Sequence, residues 1–335
     1  MQIILDAIAG LTLGKPIVQR QMALLPLLDG NAGAALRAYL TLDEALDAGT
    51  AQVTEVSHDG SVPELAFRNA GDRPVLLVEG EELVGARQNR TLNVSILAPP
   101  RQETRIPVSC VERGRWGYDD DVVFRRSERS HFARGRRSKL ESINRVMSRD
   151  PDSRHSDQGA VWDAIDDKLA AMSVSSPTDA MGAAYEQHRA SLEDYVAAFR
   201  CRPGQVGAVF LVGSSFAGLD LFAHESTFAA LLPKLLRGYA LDALEVDSKQ
   251  GHAPPVAAAH RLIAGVIVAE ARDHAAVGLG HDVRIDSPAV AGAALVAGDA
   301  VLHLAAFGRD SRTEAFESGT YRRASQRRSR HWRRQ

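Results

Sequence analysis

Residues 74–80, PVLLVEG, are apolar from Val75 through Val78 and end at Gly80. Successive side chains of a strand point to opposite faces of its sheet, so a strand that is apolar at every position is covered on both sides. We therefore predict a central strand here, and Gly80 permits the turn that follows it.

The stretch after this turn alternates between apolar and polar side chains. Leu92, Val94 and Ile96 form an apolar row on one parity, which predicts a strand with one face on the core. The polar row on the opposite parity consists of Arg87, Asn89, Thr91, Asn93 and Ser95. Because these side chains are short and form hydrogen bonds, the row is either a solvent-exposed face or the floor of a polar site.

Charged side chains accompany the polar row. Arginine binds phosphate or carboxylate groups through two parallel hydrogen bonds, and carboxylates can hold Mg²⁺ or accept a proton from a hydroxyl group. These properties favour a ligand-binding site with Mg²⁺ as a possible cofactor. The structural alternative is pairing of glutamate with arginine across a hairpin. The candidate ligand-binding residues are Glu79, Glu81, Glu82, Arg87, Gln88, Asn89, Arg90, Asn93, Glu112 and Trp116.

Other polar residues give weaker signals, and the sequence assigns no catalytic residue. Cys110 continues the apolar parity of its strand, which predicts a core residue rather than a nucleophile. His224, with Glu225 beside it and Asp220 four residues earlier, is a possible acid/base or metal group. The histidines lack ligand spacing, so no metal site is predicted. Residues 213–220, GSSFAGLD, form either a phosphate cradle or a plain strand-to-helix turn.

The order of these patterns predicts an α+β fold. We expect a strand-rich N-terminal half, amphipathic helices in the middle, and a mixed α/β C-terminal third packed on the same core. The predicted regions are 1–124, strand-rich with the GEELVGARQNR motif; 125–139, a basic linker; 140–200, helical; 201–308, mixed helix and strand; and 309–335, a basic tail expected to be disordered.

Helix-start signals mark the first two thirds of the chain. Thr41 is followed three residues later by Glu44, a capping-box pattern that predicts a helix ending near Gly49. Val161, Trp162, Ile165, Leu169 and Met172 form an apolar stripe that predicts an amphipathic helix in residues 156–172. A further helix is expected to begin at Ser176, because a proline and an acidic residue follow it as in the first turn of a helix.

Apolar runs dominate the last third. QVGAVFLVG predicts a buried strand, and Pro233 predicts a kink or two short helices within the following helical run. Gly298 and Asp299 mark the turn of a closing hairpin. The run VAAAHRLIAGVIVAEA is apolar around most of a helix, so it is either central or covered by a second subunit. We expect a homo-oligomer.

The net charge of −2 conceals a strong asymmetry. Residues 125–139 hold seven basic side chains and one acid, and residues 320–335 hold seven arginines and no acid. The remainder of the chain carries 26 basic and 41 acidic residues. Such arms can be solvated, bind the acidic body, or bind polyanions. We expect nucleic-acid binding to be weak and non-specific at most, because it depends steeply on salt.

Composition favours a cytoplasmic protein that does not cross a membrane. The N-terminus has no pattern of a signal peptide, and no stretch approaches the roughly 20 apolar residues that span a bilayer. Cys110 and Cys201 are too few for a disulfide framework.

Several motifs together resemble one known family. VEGEELVGARQNRTLNVSILAP, IPVSCVERGRWGY, DQGAVWDAI, SPTDAM and LLRGYALDAL occur in this order. This series is similar to the ADP-ribosylglycohydrolase- and rhodanese/phosphatase-associated proteins, a bacterial and archaeal family of unknown function. The resemblance covers nearly the whole chain. It implies an association with ADP-ribose and NAD-related gene clusters, and it assigns no catalytic residue.

Three functions are compatible with the sequence. The first is a nucleotide- or ADP-ribose/NAD-linked binding protein or enzyme whose site includes the GEELVGARQNR strand, Glu112 and Trp116. The second is a non-catalytic homo-oligomeric scaffold whose polar motif is structural. The third is a nucleic-acid-binding protein that uses its basic arms. The resemblance favours the first.

Overall fold

The computed structural model describes residues 1–30, 37–57, 61–115, 123–214, 216–246 and 256–309. Within these ranges the helices are α1 Gln2–Ala9, α2 Leu42–Asp47, α3 Ala133–Met147, α4 Gln158–Ala171, α5 Gly182–Gln187, α6 Arg189–Ala198, α7 Glu225–Leu244 and α8 Ala257–Val268. The strands are β1 Leu11–Leu13, β2 Ile17–Gln19, β3 Met22–Asp29, β4 Leu40–Thr41, β5 Ala51–Glu55, β6 Glu64–Asn69, β7 Val75–Leu77, β8 Glu81–Gly85, β9 Arg90–Leu92, β10 Ile96–Ala98, β11 Gln102–Cys110, β12 Val123–Ser130, β13 Gln205–Val212, β14 Phe216–Phe222, β15 Glu270–Ala275, β16 His281–Asp286, β17 Val290–Ala297 and β18 Ala300–Gly308. The predicted α+β fold with a strand-rich N-terminal half is confirmed.

A nine-stranded antiparallel sheet joins the two ends of the chain. Its order is β1-β3-β13-β14-β18-β17-β16-β15, with β2 also paired to β3. Helices α1 and α8 cover one face of this sheet, and the opposite face packs against α3 to α7. Strand β13 is buried at every position because it is covered on both sides, as its apolar run predicted. The first 30 residues therefore belong to the sheet of the C-terminal third rather than to a separate N-terminal region.

The middle of the N-terminal half forms a closed barrel. Six strands surround a core of their own in the order β11-β6-β5-β12-β8-β9. A small sheet of order β10-β7-β4 lies between the barrel core and the core of the large sheet. Its central strand β7 is the predicted central strand: Val75 and Leu77 pack into the barrel core, whereas Leu76 contributes to the large core.

Local helix signals predicted some boundaries and missed others. Helix α2 begins after Thr41 with the expected capping box, in which Thr41 Oγ1 accepts from the Glu44 backbone and the Glu44 carboxylate accepts from the Thr41 N–H. Helix α4 is confirmed at 158–171. The helix expected to begin at Ser176 starts only at Gly182, and α7 is one helix that contains Pro233. The hairpin turn at Gly298, with φ of 57°, is confirmed.

The basic segment 125–139 is not a linker. Its first part is the barrel strand β12 and its last part opens helix α3, which packs against α4, α7 and β17. A cluster of basic residues looks solvated in the sequence, but here Arg136 and Lys139 are buried. The predicted tail, apart from Arg309, lies outside the described residues.

The run predicted as an apolar helix is shared by two elements. Helix α8 ends at Val268 and the chain then forms β15, an edge strand of the large sheet. The outer face of α8 exposes Ile267 and Val268, at 46% and 80%. The homo-oligomer expected from this helix stays a prediction. None of the described helices is long and apolar enough to span a bilayer.

Candidate functional site

Glu79 belongs to a buried ion-pair network between the barrel and the large sheet. Arg136 of α3 donates from Nε to Glu79 Oε1 at 2.9 Å and from Nη1 to Asp220 Oδ2 at 3.1 Å. All three side chains are at most 5% exposed. Burial alone raises the pKa of Asp220, but Arg136 and His303 outweigh it and hold this pKa below its usual range. One guanidinium thus ties α3, β14 and the β7–β8 turn together.

Further hydrogen bonds complete this network. Tyr239 Oη donates to Asp220 Oδ2 at 3.0 Å, and the His303 ring lies 3.3 Å from Asp220 Oδ1. The other ring nitrogen of His303 lies 2.7 Å from Ser95 Oγ, which accepts from the Glu79 N–H. Most of these groups satisfy one another, although Glu79 Oε2 has no partner among the described residues, so the network is a structural connection between sheets.

Glu81 and Glu82 are held in the same way by other elements. Glu81 Oε1 accepts from Lys234 Nζ of α7 at 2.8 Å, and Lys234 also contacts Asp43 at 2.7 Å. Burial raises the pKa of Glu81, and Lys234 offsets this only in part. Glu82 Oε2 accepts from Arg129 Nε of β12, whose Nη1 reaches Glu186. We call Glu79, Glu81 and Glu82 with their basic partners the ion-pair seam.

The polar row is buried rather than exposed to solvent. Thr91 accepts a hydrogen bond from Lys139 Nζ at 3.4 Å. Asn93 Nδ2 donates to the Arg154 carbonyl at 3.0 Å, and Ser109 Oγ donates to Asn93 Oδ1 at 2.6 Å. Asn89, Thr91 and Asn93 of this row are buried, and Arg87 and Ser95 are partly buried, so the row hydrogen-bonds to neighbouring elements rather than to solvent.

The other end of the motif reaches one end of the barrel. Antiparallel pairing places the last residues of β5, β8 and β11 at this end, together with the first residues of β6, β9 and β12. The three connections between these strands therefore converge there. We define the barrel mouth as this end, with Glu55, Gln88, Asn89, Arg90, Cys110, Glu112 and Arg115.

Arg90 and Glu55 point into the barrel from opposite walls. Arg90 shares its parity with Leu92, and Glu55 shares its parity with Val53, and both apolar residues lie in the barrel core. Arg90 is 0% and Glu55 is 8% exposed. The carboxylate is close enough to act electrostatically on Arg90, yet burial dominates and lowers the pKa of the guanidinium.

The charges of these two residues are incompletely compensated. Arg90 Nη1 donates to the backbone carbonyl and to Oε1 of Gln88, each at 3.1 Å. Within the described part of the chain, Arg90 Nε and Nη2 and both carboxylate oxygens of Glu55 have no hydrogen-bond partner. Buried charged groups are normally paired, so these four unpartnered atoms make this end of the barrel the candidate site.

Hydrogen bonds of Arg115 and Glu112 join the connections at the barrel mouth. Arg115 donates to Glu112 Oε2 at 2.9 Å, to Asn89 Oδ1 at 3.0 Å and to the Ala86 carbonyl at 2.7 Å. Glu112 Oε1 also accepts from Thr178 Oγ1 at 2.9 Å. These bonds fix two of the converging connections against each other.

The family assignment follows from the sequence comparison. The sequence model of the ARG and Rhodanese-Phosphatase-superfamily-associated Protein domain matches residues 10–307. The chain belongs to this family. The resemblance of the motifs is thereby confirmed, and the matched range includes both the seam and the barrel mouth. A comparison with curated proteins found no match, and a comparison with solved structures found none either.

The predicted site of this family member is divided between two places. Glu79, Glu81 and Glu82 lie in the seam, whereas Gln88, Asn89, Arg90 and Glu112 lie at the barrel mouth. Asn93 belongs to neither place and contacts Arg154 and Ser109. The three glutamates bind basic residues of α3, α7 and β12 rather than forming a simple cross-hairpin pair. Arg87 is half-buried in the connection at the mouth, and Trp116 lies outside the described residues.

The weaker candidates have structural roles in this family member. Cys110 is buried, and burial raises the pKa of its thiol. Of residues 213–220, those from Phe216 onward belong to β14, which pairs antiparallel with β13, so the stretch leads into a strand and not into a helix. Glu225 accepts the Gly204 N–H at 2.7 Å. Among the described residues no cluster of three histidine, cysteine or acidic side chains could hold a metal ion.

Sequence reasoning missed Glu55 at the barrel mouth. A signal was present, because Glu55 falls two residues after Val53 on the apolar parity of β5. A charged residue at an inward position of a barrel strand is a candidate for function. Its partner across the barrel could not be assigned, because Arg90 is 35 positions away in the sequence.

Proposed function

We propose that this protein binds a small phosphate-bearing ligand of the nucleotide or ADP-ribose type at the barrel mouth. The proposal rests on the guanidinium of Arg90, which is buried and has two nitrogen atoms, Nε and Nη2, without a partner among the described residues. A guanidinium matches a phosphate group through parallel hydrogen bonds, and such charge-assisted bonds are roughly twice as strong as neutral ones.

Glu55, on the opposite wall of the barrel, favours a ligand that also carries hydroxyl groups. Both oxygens of Glu55 lack a partner among the described residues, and an ionised carboxylate only accepts hydrogen bonds. Ribose hydroxyls are donors that such a carboxylate can accept. A ligand with phosphate at one end and ribose at the other would supply partners for both Arg90 and Glu55. The mouths of β-barrels are also common places for small-ligand sites.

The rim limits how Mg²⁺ could take part. Both oxygens of Glu112 already accept hydrogen bonds, from Arg115 and Thr178 among others. Glu55 is therefore the carboxylate at the mouth with oxygens available for a metal ion. Any Mg²⁺ would arrive with the phosphates of the ligand, because this ion is usually bound through one or two carboxylates plus substrate phosphates.

Thermal unfolding with ligands tests the proposal. ADP-ribose, NAD, ADP and Mg²⁺ are added separately and together to the full chain. A ligand at 100 times its Kd stabilises the native state by about 2.7 kcal/mol, which is visible as a rise in Tm. We expect this rise in the wild type, its loss in Arg90→Gln, and a weaker rise in Arg90→Lys.

The matched control is Arg261→Gln, which removes an exposed arginine of α8. This control should respond to ligand like the wild type. Equal ligand responses of Arg90→Gln and the wild type, or no response of the wild type to any of these ligands, would contradict the proposal and favour the scaffold function. The nucleic-acid function has less support, because the basic segment 125–139 belongs to β12 and α3.

A further inference from the structure

A groove separate from the barrel mouth lies at the β15 edge of the large sheet. It has a volume of about 580 Å³ and lies between the end of α3, strands β15 and β16, and residues 286–288. We define the edge groove by its charged and apolar lining residues Glu270, Arg272, His274, Arg284, Asp286 and Val268. It shares no residue with the barrel mouth.

The register of β15 with β16 places like charges opposite one another. Arg272 lies opposite Arg284, and Glu270 lies opposite Asp286 at the end of the same pair of strands. Directly opposed like charges destabilise an antiparallel pair. These two positions divide the groove into a basic part and an acidic part. A bound anion would relieve the repulsion between the two arginines.

Arg284 is buried and shares its carboxylate partner with a second guanidinium. The residue is 4% exposed, and its Nη2 donates to Asp282 Oδ2 at 2.6 Å. Asp282 also accepts from Arg154 Nε at 3.0 Å, so two guanidinium groups share one carboxylate. Arg284 lines the groove, and its Nε has no hydrogen-bond partner in the described ranges.

Two neighbours complete a set of donors. Arg272 is exposed and has no ion pair with any residue that the structure describes. Burial, followed by the nearby Arg154, lowers the pKa of His274, whose ring lines the groove. In the acidic part Asp286 is held by Arg309 at 2.7 Å, whereas Glu270 is exposed.

We propose that the edge groove is an anion site for a small phosphomonoester, whose phosphate group is bound by Arg272 and Arg284. Glu270 accepts hydrogen bonds from hydroxyl groups of the same ligand. Val268, which is 80% exposed, provides an apolar wall for the ligand body. The volume exceeds that of a phosphate ion alone, which is why a phosphomonoester rather than inorganic phosphate is the expected class. This site does not depend on the barrel mouth.

Nuclear magnetic resonance titration with glycerol phosphate tests this site locally. The reporter is the ring signal of His274, assigned by its loss in His274→Gln. We expect a saturable shift of this signal in the wild type. Removal of one charge-assisted hydrogen bond in Arg272→Gln should weaken binding at least tenfold. Arg272 is exposed, so this variant is expected to fold normally.

Two control variants test whether the shift arises from binding in the edge groove itself. Arg261→Gln, an exposed arginine of α8, should bind like the wild type, and Arg90→Gln should retain the His274 shift even though it alters the barrel mouth. A wild-type signal that does not saturate, or equal affinities of Arg272→Gln and Arg261→Gln, overturns the proposal. The charges of β15 would then serve only to prevent pairing at an edge strand.

Discussion

The ion-pair seam and the barrel mouth arise from one stretch of sequence but treat charge differently. In the seam, Glu79, Glu81 and Glu82 each accept from a basic side chain of another element. At the mouth, Arg90 and Glu55 are also buried, yet four of their polar atoms lack a partner among the described residues. Burial alone therefore does not distinguish a structural charge from one that we propose to bind a ligand. The distinction lies in whether the protein itself supplies the counter-charge.

The physical reason is the cost of burying a charge. Transfer of a charge into the protein costs several kcal/mol, and a well-placed partner offsets most of it. The seam contains such partners, so removing one of them should be costly. At the barrel mouth the charge of Arg90 is buried without a hydrogen-bonded carboxylate. Removing this charge should therefore change the free energy of unfolding only a little. Four measurements test this difference.

The largest effect is expected for Arg136→Met. This change leaves Glu79 and Asp220 buried without their guanidinium, and breaking a buried pair typically costs about 3–5 kcal/mol. The free energy of unfolding in urea measures the loss. Arg101→Met, which removes an exposed arginine paired with Asp72, is the control and should leave this free energy unchanged. A loss no greater than that of the control would contradict the structural role of the seam.

The second effect is pH dependence caused by His131 beside the seam. Burial, reinforced by Lys139, lowers the pKa of His131 to about 3. The unfolded state, with a pKa near 6.5, takes up the proton first, so stability is present above about pH 6.5 and is lost as the pH falls towards 3. At pH 5 the loss from this residue should be about 2 kcal/mol.

The measurement compares urea unfolding at pH 7 and pH 5 for the wild type and His131→Asn. The variant should lose less stability between the two pH values, because it has no imidazole to protonate. His281→Asn, an exposed histidine, is the matched control and should follow the wild type. Parallel pH profiles of all three proteins would show that His131 is not buried in its neutral form.

A smaller effect is expected for Arg90→Met. The methionine removes a buried charge that lacks a carboxylate partner, so the free energy of unfolding should change by less than about 1 kcal/mol, or even rise. Urea unfolding without ligand measures this change. A loss as large as that of Arg136→Met would place Arg90 with the structural residues and remove the distinction between the two regions.

The smallest expected quantity is the coupling energy between Glu55 and Arg90. A double-mutant cycle with Glu55→Gln and Arg90→Met should give a coupling below about 0.5 kcal/mol, since the two side chains do not form an ion pair. The matching cycle of Glu79→Gln and Arg136→Met should give about 2–3 kcal/mol. Similar values from both cycles would mean that Glu55 and Arg90 pair directly.

Local patterns predicted those parts of the fold that neighbouring residues decide. The capping box of Thr41 and Glu44, the two-sided strand β7 and the hairpin at Gly298 all depend on short-range spacing, and all three are confirmed. The helix expected from Ser176 begins six residues late. Ser176 Oγ does accept the N–H of Ala180, but in a turn that precedes the helix.

The candidate site was predicted only as a region. The motif Gly80–Arg90 was recognised as unusual, but its division into a seam and a mouth depends on residues far away in the sequence. Arg136 lies in a segment that resembled a solvated linker, and Lys234 lies in one that resembled an ordinary helix. Neither residue was therefore predicted as a partner of the motif. A basic residue in the sequence does not show whether water or a carboxylate surrounds it.

The sequence by itself determined the fold class, the main apolar strands, the capping box of Thr41 and Glu44 and the family, because these follow from periodicity, turn residues and contiguous motifs. Only the tertiary structure decided which charges are compensated. The pairing of β3 with β13 joins the first 30 residues to the C-terminal third, and barrel closure brings Glu55 opposite Arg90. Such contacts depend on the free energy of the whole packed chain, in which the partner of a buried charge can lie at any distance along the sequence.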